Sequence, residues 1–173
     1  NEPFEMAFRI PNWVKTASIK VNEEPISVEM ISGTFARIKR VWKKVDIVIL
    51  DFPMEINLVE GHSRIEEVRN QIAIKRGPIV YCIESPDLPK NTEILSVYFN
   101  GDAVLEEEYE SNFLGGISII KGEVLLRKDS SEGMYNTVTK PVWEPFKTKF
   151  VPYFAWSNRG QAEMTVFMPV VWR

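Results

Sequence analysis

Gln71-Ile72-Ala73-Ile74-Lys75-Arg76-Gly77-Pro78-Ile79-Val80-Tyr81-Cys82-Ile83-Glu84 reads as two strands on either side of a turn. Gln71–Arg76 and Ile79–Glu84 are short β-branched runs, and Gly77-Pro78 punctuates them. Proline has no amide hydrogen to give a ladder, so Pro78 belongs in the turn or at the first place of the second strand. The composition of the chain points the same way. Its 173 residues include 35 Ile and Val against 15 Leu and Ala. β-branched side chains are stiff and suit a pleated surface, whereas Leu and Ala favour helices.

On the N-terminal side, Glu5–Ile10 alternates with Met6, Phe8 and Ile10 on one face. Ala17–Val21 sets Ile19 beside Val21 and meets a turn at Asn22-Glu23. Thr34–Arg40 puts Ala36 and Ile38 opposite Arg37 and Lys39. Val45–Phe52 is apolar on both faces, which predicts an interior strand covered on both sides. Pro53 halts it, and Met54–Val59 resumes. His62–Arg69 is the one helical piece expected in this half, a turn or two with Ser63 and Glu66 at capping-box spacing. On the C-terminal side, strands are expected at Leu95–Phe99, Ala103–Leu105, Ile117–Ile120 and Glu123–Leu126. The last two would be joined by a two-residue hairpin turn at Lys121-Gly122. A polar loop at Asp129–Gly133 and closing strands at Lys147–Val151 and Glu163–Pro169 follow.

Roughly a dozen short strands at turn spacings of about ten residues predict an all-β chain with little helix, built as two consecutive antiparallel, jelly-roll-like β-sandwiches. The densest turn chemistry, Ser85–Thr92 with its two prolines, marks the expected boundary between residues 1–86 and 87–173. The charge also shifts there, from 12 basic and 12 acidic residues before it to 9 and 12 after it.

A chain of this length buries roughly 70% of the surface it would expose unfolded, enough for a core without staples. With 21 basic and 24 acidic residues it lacks the dense positive surface that nucleic acid or anionic lipid requires. No apolar run approaches the ~20 residues of a membrane-spanning helix. The pattern is already under way at Asn1, so the chain reads as a piece of something longer, and its compartment is open.

Candidate chemistry is sparse. His62, the single histidine, sits on a polar turn with nothing beside it to fix a tautomer, and reads as a solvated loop residue. Cys82, the single cysteine, excludes an internal disulfide and a multi-cysteine zinc cage, and in an apolar strand it behaves as a small buried hydrophobe. Glu106-Glu107-Glu108-Tyr109-Glu110 lacks the turn glycine of a calcium loop and reads as a charged edge that discourages sheet-to-sheet association. Asp46 and Asp51 are turn-adjacent hydrogen-bond partners. The richest segment is Val151–Gly160, where Tyr153, Phe154 and Trp156 precede Asn158 and Arg159. Aromatics beside planar donors suit a sugar platform, a protein anchor or a core tryptophan with its turn.

Four segments resemble, in order, motifs of bacterial glycoside hydrolase family 127, the β-L-arabinofuranosidase group. Phe8-Arg9-Ile10-Pro11-Asn12-Trp13 is similar to its R-I-P-G-W, and Ile19–Asn22 to its I-x-V-N-G turn. Lys75–Cys82 is similar to R-G-P-L-V-Y-C, and Pro152–Gly160 to P-Y-Y-A-W-A-N-R-G. Asn12 and Glu23 stand where the family has glycine; asparagine tolerates a left-handed turn and glutamate less so. Val45 stands for the glycine of W-x-x-G-D, implying a different turn between Trp42 and Asp46.

The resemblance implies a parent with an N-terminal (α/α)6 barrel that carries the active site, followed by middle and C-terminal β-sandwiches. The barrel would hold zinc on cysteine and glutamate ligands, with one cysteine as nucleophile. Only the sandwich regions match, so no catalytic or metal residue carries over and no cofactor is expected in this chain. The first sandwich would lack its opening strands, leaving an edge unpaired. The expected role is a non-catalytic accessory region that braces the parent's barrel and takes part in homodimerisation, with Trp13, Trp156, Asn158 and Arg159 as the docking residues. The rival is a carbohydrate-binding module, which requires an exposed coplanar aromatic pair to hold a glycan. A self-contained hydrolase would need a polar cleft around Cys82 or His62.

Overall fold

The computed structural model describes residues 2–128 and 133–172. All the regular structure among them is strand, apart from three-residue 3-10 turns at Glu66–Val68, Ser85–Asp87, Ile94–Ser96 and Tyr153–Ala155. Most of the polar loop expected at Asp129–Gly133 lies outside the described residues. The chain divides into two units, Asn1–Glu55 and Ile56–Arg173.

The first unit contains β1 (Phe4–Arg9), β2 (Ser18–Val21), β3 (Glu24–Pro25), β4 (Phe35–Arg40) and β5 (Val48–Asp51). β1 pairs with β4, and β3-β2-β5 form a second sheet. Alternation puts every second side chain on one face. Ile19 and Val21 from one sheet thereby meet Ile38 and Phe8 from the other, with Trp42, Val48 and Leu50 around them. The faces of β1, β2 and β4 are as the alternation predicts. β5 differs, because it is an edge strand with one covered face. Val48 and Leu50 reach the core, while Ile47 and Ile49 remain 64% and 46% exposed. An apolar pattern on both faces shows that both tend to be buried, but only one has a partner within this unit.

The turn at Asn22-Glu23 forms with both residues left-handed, φ 53° and 68°. Asn22 Nδ2 donates to Asp46 Oδ1 at 2.8 Å, and the Lys43 amide donates to Asp46 Oδ2 at 2.9 Å. These two bonds, with Arg40 behind them, hold the Asp46 carboxyl below its ordinary range. Asp46 thus ties two turns together, as its turn-adjacent position suggests. Val45 and Asn12 are not left-handed; Gly33 is, at φ 80°, and its bare Cα leaves room for the Asn12 side chain.

The second unit contains β6 (Ile56–Glu60), β7 (Gln71–Arg76), β8 (Ile79–Glu84), β9 (Val97–Asn100), β10 (Glu106–Glu110), β11 (Ile117–Arg127), β12 (Trp143–Pro152), β13 (Met164–Thr165) and β14 (Met168–Val171). All belong to one sheet. Its hydrogen-bonded path runs β7-β8-β12-β11-β9-β14 and returns to β7, where Met168 pairs with Ile72. The circuit encloses Ile74, Tyr81, Ile83, Phe99, Ile120, Val124, Leu126 and Phe150. The opposite face of β8, β11 and β12 carries a smaller cluster of Cys82, Ile119 and Val151. One pairing departs from the antiparallel expectation: β14 runs parallel to β9.

Four further expectations are corrected here. The division falls after Glu55, not within Ser85–Thr92. β7 and β8 pair with β14 and β12 across that segment, Leu88 is buried, and Thr148 Oγ1 donates to the Asp87 carbonyl at 2.9 Å. Its prolines make a tight surface crossing, not a linker. Lys121-Gly122 is not a hairpin turn, because β11 runs unbroken through it with β12 alongside. A side chain at Gly122 would collide with Leu105, so the glycine serves close packing. The 3-10 turn at Glu66–Val68 starts from Ile65 with no side-chain cap, so Ser63 does not form the expected capping box. Gly77-Pro78 is a two-residue hairpin turn, with Arg76 paired to Ile79. Glu106–Glu110 is an outer strand on β11, as the charged-edge reading expects, while Ala103–Leu105 is not a strand.

Glu23 is exposed and left-handed, a geometry that costs a non-glycine residue about 1–2 kcal/mol. Part of that gain is offset by the greater freedom of unfolded glycine. Glu23→Gly is therefore expected to stabilise the chain by about 0.5–1 kcal/mol, read as a higher urea midpoint with an unchanged slope. A lower midpoint would show that the glutamate side chain contributes more than its backbone costs.

Candidate functional site

β12 ends at Pro152, and the chain folds into the 3-10 turn Tyr153–Ala155 before doubling back through Ser157 and Gly160, both at positive φ. Ala155 is buried beneath the turn, and three aromatics stand on its outside. Tyr153, Phe154 and Trp156 are 46%, 68% and 38% exposed. The Tyr153 and Trp156 rings lie 6.4 Å apart at 29°, close to parallel.

Arg159 holds this turn from within. Its guanidinium forks onto Asp87, with Nη1 to Oδ1 at 2.8 Å and Nη2 to Oδ2 at 2.5 Å, and Nη2 also reaches Glu84 Oε2 at 2.5 Å. Glu84 Oε1 accepts the Ser157 amide at 2.9 Å. The side chains of Glu84, Asp87 and Arg159 are only 1%, 8% and 18% exposed. A carboxylate so enclosed is tolerable only when paired and hydrogen-bonded, and Glu84 is both. The Asp87 bonds, then Glu84, raise the Arg159 pKa further above its already high ordinary value. The Phe113 ring caps the group, 5.0 Å from Arg159 Cζ and 3.9 Å from Lys149 Nζ.

The four residues expected to dock prove to have different roles. Trp156 presents part of its ring to solvent. Asn158, itself exposed, bends its amide back onto the turn, Nδ2 donating to the carbonyls of Ala155 at 3.1 Å and Trp156 at 3.4 Å. Arg159 is the internal clamp. Trp13 belongs to the first unit, half-buried edge-on against Phe52. Glu84 and Asp87 were not singled out by sequence reading. The one available signal is a charged residue closing the apolar run Ile79–Ile83, which an ordinary strand end would also show.

Cys82 and His62 are far from any nucleophile's setting. Cys82 is fully enclosed, its Sγ 3.7 Å from the Val151 carbonyl, and burial, then the charge of Glu84, pushes the thiol up to about 12. His62 is exposed, and its Nδ1 accepts the Arg64 amide at 3.2 Å. Among the described residues no three His, Cys, Asp or Glu side chains gather as metal ligands. The zinc site implied by the family resemblance does not fit onto this chain, because its one cysteine is enclosed in the core.

Residues 56–169 match the model of the glycoside hydrolase family 127 C-terminal domain, and residues 1–54 match the β-L-arabinofuranosidase GH127 middle domain. The chain belongs to glycoside hydrolase family 127. The two matches meet where the structure divides, at residues 54–56. A non-reducing end β-L-arabinofuranosidase of Bifidobacterium longum is 28% identical over 167 residues, covering 92% of this chain and 25% of that protein. Among solved structures, a glycoside hydrolase superposes with a TM-score of 0.88 at 35% identity, over 99% of this chain and 28% of the other. A GH127 β-L-arabinofuranosidase from Geobacillus stearothermophilus T6 gives 0.86 at 30%, over 98% and 27%. The chain thus spans about a quarter of the proteins it matches. It is the middle and C-terminal, non-barrel portion of a glycoside hydrolase.

Two outcomes follow from this geometry. Arg159→Leu strands two enclosed carboxylates and is expected to cost about 3–5 kcal/mol in urea unfolding, with Glu84→Gln in the same background recovering part of the loss. A thiol with a pKa near 12 and no exposed surface is expected to label with maleimide only as fast as the chain opens. Rapid labelling under native conditions would contradict that burial.

Proposed function

We propose that this chain is the accessory part of a family 127 hydrolase, non-catalytic by itself, and that it braces the parent's catalytic barrel through the Tyr153–Trp156 turn. The observation that carries this is three exposed aromatics within four turn positions on a clamp of buried charge. Rigid aromatic anchors of this kind dominate the energy of protein interfaces, because they bury area with little loss of side-chain freedom. The relatives extend over about three more lengths of chain, which supply surface for the anchors to meet. Arabinofuranoside hydrolysis by the parent is part of the proposal and rests on the activity named for those relatives. Homodimerisation would use the same exposed aromatics in the absence of a barrel.

A second reading has one observation in its favour. Tyr153 and Trp156 are exposed and nearly parallel, as a glycan-stacking pair would be. Retardation on glycan affinity gels, lost in Trp156→Ala, would support it over docking.

The 173-residue chain is expected to release no sugar from β-L-arabinofuranosides with or without added zinc; clear turnover would end the accessory reading. Phe154→Ala is expected to change the stability of this chain by no more than about 0.5 kcal/mol. In the longer protein it should weaken the attachment of the barrel by about 2 kcal/mol, read as an earlier thermal transition. Equal effects in both would show that Phe154 serves only the local fold.

A further inference from the structure

The partners of β11 change along one edge. Ile117–Lys121 pair with β10 and Val124–Leu126 pair with β9, so the ladder skips Gly122 and Glu123. The connection from Asn100 to Glu106 crosses at this gap. A cleft of about 730 Å³ opens here, with Asn100, Asp102, Glu106, Glu123, Lys147 and Thr148 in its wall. That volume is within the range of small-molecule sites. Its polar groups are held in place: Asn100 Nδ2 donates to Glu123 Oε1 at 2.8 Å, Asn100 Oδ1 accepts the Asp102 amide at 3.2 Å, and Asn100 and Thr148 are buried. Lys147 stands directly opposite Glu123 in the β11–β12 register. Its ammonium has no ion-pair partner among the described residues, whereas Lys121 and Lys149 are engaged by Glu108 and Glu110.

We propose that this cleft binds a short, uncharged oligosaccharide. Beside Lys147 the wall carries Asp102, Glu106 and Glu123, so an anion meets repulsion. An apolar ligand would strip water from charged groups and return nothing. A divalent cation needs convergent carboxylates, which are not found among the described residues. Sugar hydroxyls both donate and accept, and so satisfy a wall where carboxylate, amide and ammonium alternate. Ala103 and Val104, the latter 77% exposed, offer an apolar lip for the C–H face of a ring. The inference goes beyond barrel bracing and does not depend on it, since the aromatic turn contributes no residue to the cleft.

The test is a titration of the isotope-labelled 173-residue chain with arabinan-derived oligosaccharides, followed by amide NMR shifts, with inorganic phosphate as a parallel probe. Saturable shifts are expected in residues 100–106, 121–123 and 147–149 with the sugars and not with phosphate. Lys147→Ala removes an exposed side chain, so the fold and melting temperature should hold while the sugar Kd rises about tenfold, the loss of one charge-assisted hydrogen bond. The proposal is overturned by the absence of saturable shifts in those segments, by equal shifts with phosphate, or by shifts confined to residues 153–156. Barrel bracing is read separately, from the thermal transition of the longer protein, so either idea can fail alone.

Discussion

Glu84 is a carboxylate at the end of a core strand with almost none of its surface in water. Left unpaired there, it would oppose closure of the strand. Arg159 and the Ser157 amide resolve the conflict, and in doing so fix a turn that lies 73–75 positions further along the chain. Asp87 completes the fork and brings the Ser85–Asp87 crossing into the same knot. The aromatic turn, the end of β8 and the crossing after it therefore share one electrostatic constraint. The surface carrying Tyr153, Phe154 and Trp156 can be rigid because the charges beneath it are not free to rearrange.

The packing around that knot follows from a sheet that has burial on both faces. In β8, Tyr81 and Ile83 fill the enclosed core while Cys82 faces the smaller cluster with Ile119 and Val151. In β12, Phe150 and Val151 divide in the same way. A strand covered on both sides reads as a continuous apolar run, and Ile79–Ile83 does. The first unit shows the contrasting case. β5 carries the same kind of run, yet Ile47 and Ile49 face solvent within this chain. The two sequences look alike because the pattern records what each strand tends to bury, whereas the neighbours that bury it are set elsewhere.

Much of the local structure was legible from residue chemistry. Alternation placed Met6, Phe8, Ile19, Val21, Ala36 and Ile38 on their faces. Asn22-Glu23 and Gly77-Pro78 were turns because asparagine, glycine and proline favour backbone geometries that break a ladder. Cys82 reads as a small core group because burial in an apolar strand penalises its anion. The misreadings share a cause. Gly122 and the prolines of Ser85–Thr92 carry turn chemistry, but glycine also serves where a neighbour presses close, and proline also serves a tight crossing within one unit. At Gly122 that neighbour is Leu105, seventeen positions away and invisible to a local pattern.

The sequence by itself determined that this is a β-protein and which side chains point the same way along each strand. These are local properties, set by a period of two and by residue type. Tertiary structure alone decided that the units part after Glu55, that β11 passes straight through Gly122, and that Arg159 meets Glu84 and Asp87. Each depends on which distant strands pair, and many pairings satisfy the same alternation. Only the mutual fit of whole sheets, with the enclosed carboxylates of Glu84 and Asp87 paired to Arg159, selects one.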